Sequence, residues 1–465
     1  MNLRVSITDW RIYLVWALLT VALAALVARL LVLQSTAGEK GKVFLQQQGE
    51  LRVIRNEVIP ASRGEITDRN GKLLAYSTPV KSVWVNPSVF GDNPAGITAL
   101  ASALNMSEQN IKQRLRSHDS FVYLRRRLEP AVSDKVVALE LSGVHTETEF
   151  KRFYPAAEFA AHLLGFTDID DQGQEGVELA FDSVLRGEYG KRQVMRNAIG
   201  ETIKQIRLLE VPQPGESVRL SIDMNLQYIA YRELKAAVQR HGASSGSMVV
   251  LDVDSGEVLA MVNQPSYNVN DRSQLQPERT RNRALIDVFE PGSTVKPFTI
   301  AAALEAGSVS VGSVIDTSPG YLRLGDKTLV DPRNYGELSV TEILAKSSQV
   351  GTSKLALDVD IADLRDMFSR VGFGEYCATG FPGEQVGVLP YHKRWLPVQR
   401  ATLSFGHGMT VNTLQLARAY SVLAADGVIR PVSLLKNTTA RPGIAKPEQV
   451  MGTRLARDVR QMMKT

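Results

Sequence analysis

Phe289-Glu290-Pro291-Gly292-Ser293-Thr294-Val295-Lys296-Pro297-Phe298 is the stretch that decides the reading of this chain. It holds Ser293 and Lys296 at the spacing S-x-x-K. On a helix, positions i and i+3 are neighbours, so the Lys296 amine can lie beside the Ser293 hydroxyl. A serine hydroxyl is a poor nucleophile until a base takes its proton. A lysine is such a base only where burial or neighbours lower its pKa. A helix N-terminus adds backbone N–H groups and the positive end of a dipole, which favour negative charge developing near Ser293. Glu290-Pro291-Gly292 gives the chain a sharp approach to that helix, which the pattern carries through Leu304. The spacing alone is weak. Ser433-Leu-Leu-Lys436 matches equally well in a loop-like stretch near Pro431.

Outward from this stretch the texture is that of a packed domain. Met248-Val-Val-Leu251 and Val258-Leu-Ala-Met-Val262 flank Asp254-Ser-Gly-Glu257, a hairpin signature. Residues 224–240 place Leu226, Ile229, Ala230 and Leu234 on one helical face. Residues 218–222 read as a short strand, and Val211-Pro-Gln-Pro-Gly215 as a boundary. Earlier, from Gln34 to about Pro214, short strands alternate with turns. One is an Asn70-Gly71 hairpin turn between Ile66 and Leu73-Leu74-Ala75. Residues 165–178 are also rich in turn formers, and no repeat of 20–50 residues is present.

At the N-terminus, 12–28 reads IYLVWALLTVALAALVA without a charge, and Arg29-Leu-Leu-Val-Leu33 follows. As a helix, 12–33 would cross a hydrocarbon core of about 30 Å. Arg29 can snorkel at one end, and Tyr13 and Trp16 suit the other interface. A cleaved signal peptide competes, with Arg4 and Arg11 as its basic start and Ser35-Thr36-Ala37 for cleavage. The apolar run is too long for the usual h-region, so a retained single-pass anchor is expected. Arg4 and Arg11 face Lys40, Lys42, Arg52 and Arg55 across it, so charge counting leaves the orientation open.

The 465 residues suit two or three domains. A hydrophobic share of 44% and a charged share of 22% exclude a mostly disordered chain. Lys+Arg 54 against Asp+Glu 49 leaves +5, too mild and too dispersed for nucleic-acid binding. Cys377, alone, makes neither an internal disulfide nor a cysteine zinc site, and reads as a small buried hydrophobe. Three other motifs fail on context. Gly242-Ala-Ser-Ser-Gly246 has a helix before it and a strand after it, the reverse of a nucleophile elbow. Residues 320–328 nearly spell a P-loop, but Asp326 stands between Gly325 and Lys327. The calcium-like start at Asp168 has Leu179 where a bidentate Glu is needed. The six histidines show no i, i+4 ligand pairing and read as surface or locally hydrogen-bonded groups.

The context of Ser293 is what raises it. GSTVKPF resembles the active-site signature of penicillin-binding transpeptidases. RGEITDRNG (63–71), RFYPAAEFAAHLLGFTD (152–168), EGVELAFD (175–182), GSMVVLDVDSGEVLAMVNQPSYN (246–268), RNRALIDVFEPGSTVKPF (281–298), KSSQVGTSKLAL (346–357), GFPGE (380–384) and FGHGMTV (405–411) extend the likeness over essentially the whole chain. Together they resemble a class B penicillin-binding protein of the division-specific D,D-transpeptidase type, FtsI or penicillin-binding protein 3. The resemblance implies a cytoplasmic stub (1–11), a transmembrane helix (12–33), an α+β pedestal or dimerisation domain (34–215) and a penicillin-binding, β-lactamase-like α/β transpeptidase domain (216–465). That last fold has a five-stranded antiparallel sheet with helices on both sides.

It implies that Ser293 attacks the carbonyl between two terminal D-alanines of a peptidoglycan stem peptide and that Lys296 takes the proton. Ser347 would relay it to the leaving D-alanine, and β-lactams would acylate Ser293 in the same way. No metal or cofactor is implied. Partners would be stem peptides of lipid II-derived strands, β-lactams, the membrane, and an FtsW-type glycan polymerase with other division proteins, at the septum of a bacterial inner membrane. Residues beyond about Gln34 would be periplasmic.

Two departures stand out. Gln349 occupies the Asn position of the second motif, S-x-N, which moves the amide by one methylene. The third motif, K-[ST]-G, is expected some tens of residues beyond a helix at 454–463, and Lys464-Thr465 is not read as that motif. The expectation is therefore a fragment or a truncated reading frame, with an incomplete sheet and doubtful acylation by this chain alone. Three alternatives follow: a catalytically defective division scaffold, a β-lactam sensor or serine β-lactamase, and an elongation-type paralogue. The long pedestal argues against the sensor or lactamase.

Overall fold

The structure, a computed structural model, describes residues 7–35, 53–197, 202–271, 273, 275–436 and 446–464. Arg4, Thr36-Ala37, Lys40, Lys42, Arg52 and Thr465, which entered the readings of cleavage, orientation and C-terminus, lie outside them. In chain order the elements used below are α1 (Ile7–Ser35), β1 (Ile54–Ile59), β2 (Ile66–Thr67), β3 (Leu73–Val85), α2 (Pro94–Leu104), α3 (Glu108–Arg116), β4 (Val122–Leu128), β5 (Val144–Phe153), β6 (Gly190–Arg196), β7 (Thr202–Glu210) and β8 (Val218–Arg219). After them come α4 (Met224–Arg240), β9 (Gly246–Leu251), β10 (Val258–Gln264), α5 (Lys296–Glu305), β11 (Tyr321–Leu324), β12 (Lys327–Val330), α6 (Val340–Ala345), α7 (Gln349–Asp358), α8 (Ile361–Arg370), α9 (Thr413–Ala424) and α10 (Thr453–Met462).

Within α1, Trp10–Val32 is a 23-residue apolar stretch with mean hydropathy 2.4 and none of it buried. At 1.5 Å per residue it is long enough for a bilayer core. It is apolar on every side, as a helix facing lipid would be.

Contacts divide the chain into two compact units that alternate along the sequence. One takes Met1–Ala61, Val80–Glu149 and Glu188–Gln213; the other takes Ser62–Pro79, Phe150–Gly187 and Pro214–Thr465. In the first unit β3, from Val80 on, pairs antiparallel with β4, with Trp84 opposite Tyr123 and Val85 opposite Val122. Strand side chains alternate between faces, so Val83, Val85, Val122 and Leu124 enter one core with Ile97, Leu100, Leu104 and Ile111. On the other face the Trp84 ring sits 4.8 Å from Phe121 and 4.4 Å from His145. A separate antiparallel sheet has the order β1-β6-β7, and β7 is exposed along its whole length.

The second unit begins with the Asn70-Gly71 turn. Ile66 of β2 lies opposite Ala75 of β3, and β2 also pairs in parallel with β8. Asp68 fixes the turn by accepting the Asn70 and Lys72 N–H groups, both at 2.8 Å. Beside it Arg63 and Arg152 converge on Glu178 at 2.6 and 2.7 Å, and Arg63 also reaches Asp182 at 2.7 Å. The β9–β10 hairpin forms as read, with Leu251 opposite Val258, and is the part of the expected antiparallel sheet that the described residues show. Helix α4 is tied to it through Gln227. The Gln227 amide donates to Phe159 O and Met261 O (2.7 and 2.8 Å) and accepts from Met261 N (2.8 Å).

Helix α5 runs through the middle of a second core. Its residues 296–303 are all buried, and three consecutive alanines let it pack closely on α7, α8 and α10. The P-loop lookalike is a hairpin: β11 and β12 turn at Gly325-Asp326, with Gly325 at φ +62°. Ser433 and Lys436 lie in extended chain, where Lys436 pairs with the buried Glu257 at 3.1 Å. One histidine differs from the surface expectation. His162 is buried, its Nε2 lies 2.8 Å from Arg279 O, and burial pulls its pKa down to about 4.

Candidate active site

The site is built around the approach to α5. Phe289 and Val411 exchange two backbone hydrogen bonds at 2.9 Å, which lays 405–411 alongside 289–292. Glu290 clasps the same partner: its Oε2 lies 2.8 Å from His407 Nδ1, and its Oε1 accepts the Gly408 N–H at 2.9 Å. Gly406, at φ +82°, passes so close to Gly292 that a Cβ there would fall 2.3 Å from the Gly292 carbonyl oxygen. Only glycine fits such an approach.

The turn that carries Ser293 is not α-helical. Residues Gly292–Val295 form a 3₁₀ turn, and α5 starts only at Lys296. Pro297 explains the difference: it has no N–H to give the Ser293 carbonyl, which accepts from the Lys296 N–H instead. In 3₁₀ geometry i and i+3 eclipse, which aligns Ser293 and Lys296 more closely than an α-turn would. Thr294 braces the turn, donating from Oγ1 to Pro291 O at 2.7 Å, while the Tyr420 hydroxyl donates to Thr294 O at 2.7 Å. Ser293 itself is exposed. No hydrogen bond of its hydroxyl occurs among the described residues.

Lys296 is 1% exposed. Its amine donates to Ser347 O at 2.5 Å and to Ser347 Oγ at 3.0 Å. Burial pulls the Lys296 pKa down from 10.5 to about 8, against the opposing pull of the Asp331 carboxylate. Ser347 sits at φ +51°, a left-handed conformation that costs a non-glycine residue of order 1 kcal/mol or more. It lies in the short link between α6 and α7. Helix α6 starts in a capping box between Ser339 and Glu342, and Ser348 caps α7 by accepting the Gly351 N–H at 2.9 Å.

The four residues singled out in the sequence thus fall on two segments. The 3₁₀ turn and the start of α5 carry Ser293 and Lys296, and the α6–α7 link carries Ser347 and Gln349. The structure joins Lys296 to Ser347 directly. Gln349 opens α7, its N–H bonded to Asp331 Oδ1 at 2.6 Å and its side chain half-buried. Sequence reasoning missed Asp331, the Glu290–His407 clasp, Thr294 and Tyr420. Glu290 and His407 lay within strings already noted, so their pairing was open to discovery. Asp331 had no signal beyond a turn-forming Asp-Pro pair.

Residues 246–465 match the penicillin binding protein transpeptidase domain, and residues 58–220 the penicillin-binding protein dimerisation domain. The chain is similar to "Probable peptidoglycan D,D-transpeptidase PbpC" of Pseudomonas aeruginosa, 41% identical over 98% of this chain and 80% of that protein. It is equally similar to peptidoglycan D,D-transpeptidase FtsI of Escherichia coli K12, 41% identical over 98% of this chain and 77% of that one. Among solved structures, penicillin-binding protein 3 of Mycobacterium tuberculosis in complex with aztreonam superposes with a TM-score of 0.65. It is 26% identical and covers 88% of this chain and 75% of that one. Both domain matches, with relatives 41% identical over 98% of this chain, assign the family: the chain belongs to the class B penicillin-binding proteins, peptidoglycan D,D-transpeptidases of the FtsI type.

Proposed function

We propose that Ser293 is the nucleophile of the transpeptidase, Lys296 its general base and Ser347 the proton relay. The observation that carries this is the Lys296 amine, buried, hydrogen-bonded to the two oxygens of Ser347 and depressed to about 8. With that value a share of the amine is neutral near pH 7 and can accept a proton. Ser293 Oγ adds to the carbonyl between the two terminal D-alanines as Lys296 takes its proton. The C–N bond then breaks, and the proton passes from Lys296 through Ser347 Oγ to the leaving D-alanine. An amine of a neighbouring stem peptide attacks the ester on Ser293. The new amide forms, and the amine's proton returns to Ser293 Oγ by way of Lys296. Water in place of the amine would give carboxypeptidase turnover. A β-lactam enters by the first step alone: its ring C–N bond opens, its nitrogen takes the proton, and the acyl group stays on Ser293. Gln349 presents its amide to the bound peptide.

The domain limits proposed are a stub at 1–11, a transmembrane helix at 12–33, a pedestal at 34–215 and a transpeptidase domain at 216–465. The matched spans 58–220 and 246–465 support them. Because the substrate lies outside the inner membrane, the chain beyond about Gln34 is placed in the periplasm, at the septum. An FtsW-type polymerase would be met through the anchor and pedestal. The exposed apolar helix Trp10–Val32 supports the membrane anchor. The test of the chemistry is labelling with fluorescent penicillin followed by peptide mass mapping. An adduct on Ser293 that disappears in Ser293→Ala is expected; an adduct elsewhere, or none, overturns the assignment.

A further inference from the structure

We propose that Asp331 is a positioning residue for acylation: its carboxylate fixes the link that turns both oxygens of Ser347 toward Lys296. Asp331 is 3% exposed, in the loop after β12. It has no cation at hydrogen-bond distance among the described residues, and its oxygens are filled by the second motif. Oδ2 accepts the Ser348 hydroxyl at 2.6 Å. Oδ1 accepts the N–H groups of Gln349 at 2.6 Å and Val350 at 3.2 Å. A buried carboxylate is costly unless hydrogen-bonded in this way. All three donors directly follow Ser347, whose left-handed conformation needs an external hold. Without Asp331, the Gln349 and Val350 N–H groups at the start of α7 lose their acceptor, and the link keeps only the Ser347 N–H to Leu344 O and Ser348 N–H to Ile343 O turn bonds, both at 3.0 Å, and the Lys296 amine.

The same carboxylate is the one charge that opposes the burial of Lys296. The charged side chains on the helices packed against α5 face other groups or solvent: Lys346 pairs with Glu342 at the end of α6, Lys354 of α7 with Asp316 O, Arg365 of α8 with Pro390 O, Arg370 of α8 with Glu305 and Asp366, Arg454 of α10 with Asp458, and Arg457 and Arg460 of α10 with Asp426, while Asp358 and Asp363 are exposed. Asp331 therefore acts twice, by geometry on Ser347 and by charge on Lys296. This inference rests on the proposed roles of Ser293, Lys296 and Ser347.

The two effects separate in the full chain. Asp331→Asn keeps an acceptor for the N–H groups and removes the charge. The pH midpoint of Lys296, read by competitive acetylation and peptide mass, should fall on the order of one unit. The acid limb of the penicillin acylation profile should fall with it. Asp331→Ala removes the hold and should slow acylation about tenfold or more at every pH, since small misplacements of reacting groups cost that much. Ser348→Ala, which leaves the charge, should slow acylation without moving the Lys296 midpoint. An unmoved midpoint in folded Asp331→Asn overturns the charge effect. An undiminished rate in Ser348→Ala and Asp331→Ala overturns the positioning. If the wild-type chain takes no penicillin on Ser293, the catalytic assignment fails instead, and the acetylation midpoint still tests the charge effect of Asp331.

Discussion

Two buried cationic sites lie in the same unit, and they are opposites. Around Glu178, two guanidinium groups share one fully buried carboxylate, and Asp182 completes the set. Burial works against the Arg63 charge, yet Glu178 and Asp182 raise its proton affinity above the ordinary value. At Lys296 a single amine is buried against neutral oxygens, and the nearest influential charge belongs to a carboxylate bonded to other groups. The first site has its charges answered, so it holds the fold. The second leaves a charge unanswered, so the amine gives up its proton easily. On the roles proposed above, stability and reactivity fall to different buried cations.

The comparison breaks most sharply at Lys296. Lys296→Met should slow acylation of Ser293 by penicillin about 10²–10⁴-fold, the span of a lost general base. The same change should raise the melting temperature at pH 7. The folded chain releases this proton near 8 and the unfolded chain near 10.5, so below pH 8 burial carries its full cost. Between about 8 and 10.5 the unfolded state binds more protons, and the wild-type chain recovers that stability as pH rises. The advantage of Lys296→Met in thermal melts should therefore shrink across that window. An advantage that is constant with pH would show that the amine is not depressed.

Glu178→Gln is the converse. It leaves Arg152 without its carboxylate and Arg63 with Asp182 alone, and should cost about 3–5 kcal/mol in denaturant unfolding. Penicillin acylation per folded molecule should stay unchanged. A loss of acylation without loss of stability would erase the division of labour. Gln349→Asn is gentler. Its backbone N–H and Asp331 are untouched, so stability should move by less than about 0.5 kcal/mol. Acylation should rise, by up to about 10²-fold if the amide is now displaced by about 1 Å. The smallest effect is expected at the rim. Glu290→Gln leaves an acceptor for the Gly408 N–H but removes the carboxylate that faces His407 Nδ1, both side chains being about half exposed. A change in acylation of less than about threefold is expected, since solvent screens exposed pairs of this kind.

Much of this was legible in the chain itself. Helix α4 has the bounds that its periodicity suggested, but its buried face is Gln227, Ala230, Tyr231 and Leu234, while Leu226 and Ile229 of the expected apolar face are exposed; the β9–β10 hairpin matches its two apolar runs. The turn at Asn70-Gly71 was legible as well. The pairing of Ser293 and Lys296 was legible from spacing, but its 3₁₀ form was not: Pro297 acts on a carbonyl four residues back, which periodicity does not register. Asp331 was invisible because its partners lie 17–19 positions away and its loop has no pattern. Arg63, Arg152 and Glu178 could be quoted as strings, yet nothing local says that charges 26 and 115 positions apart will be buried together.

The alternation of the two units along the chain has a consequence for synthesis. Strand β2 and Arg63 emerge from the ribosome long before β8 at 218–219 and well before Glu178, and they belong to the same unit as α5. That unit cannot close as its first segment appears. Arg63 must wait through more than a hundred residues of nascent chain, at roughly 5–20 residues per second, before its carboxylate arrives. Folding here cannot proceed one finished block after another, and an early fragment would expose an unanswered guanidinium until Glu178 is made.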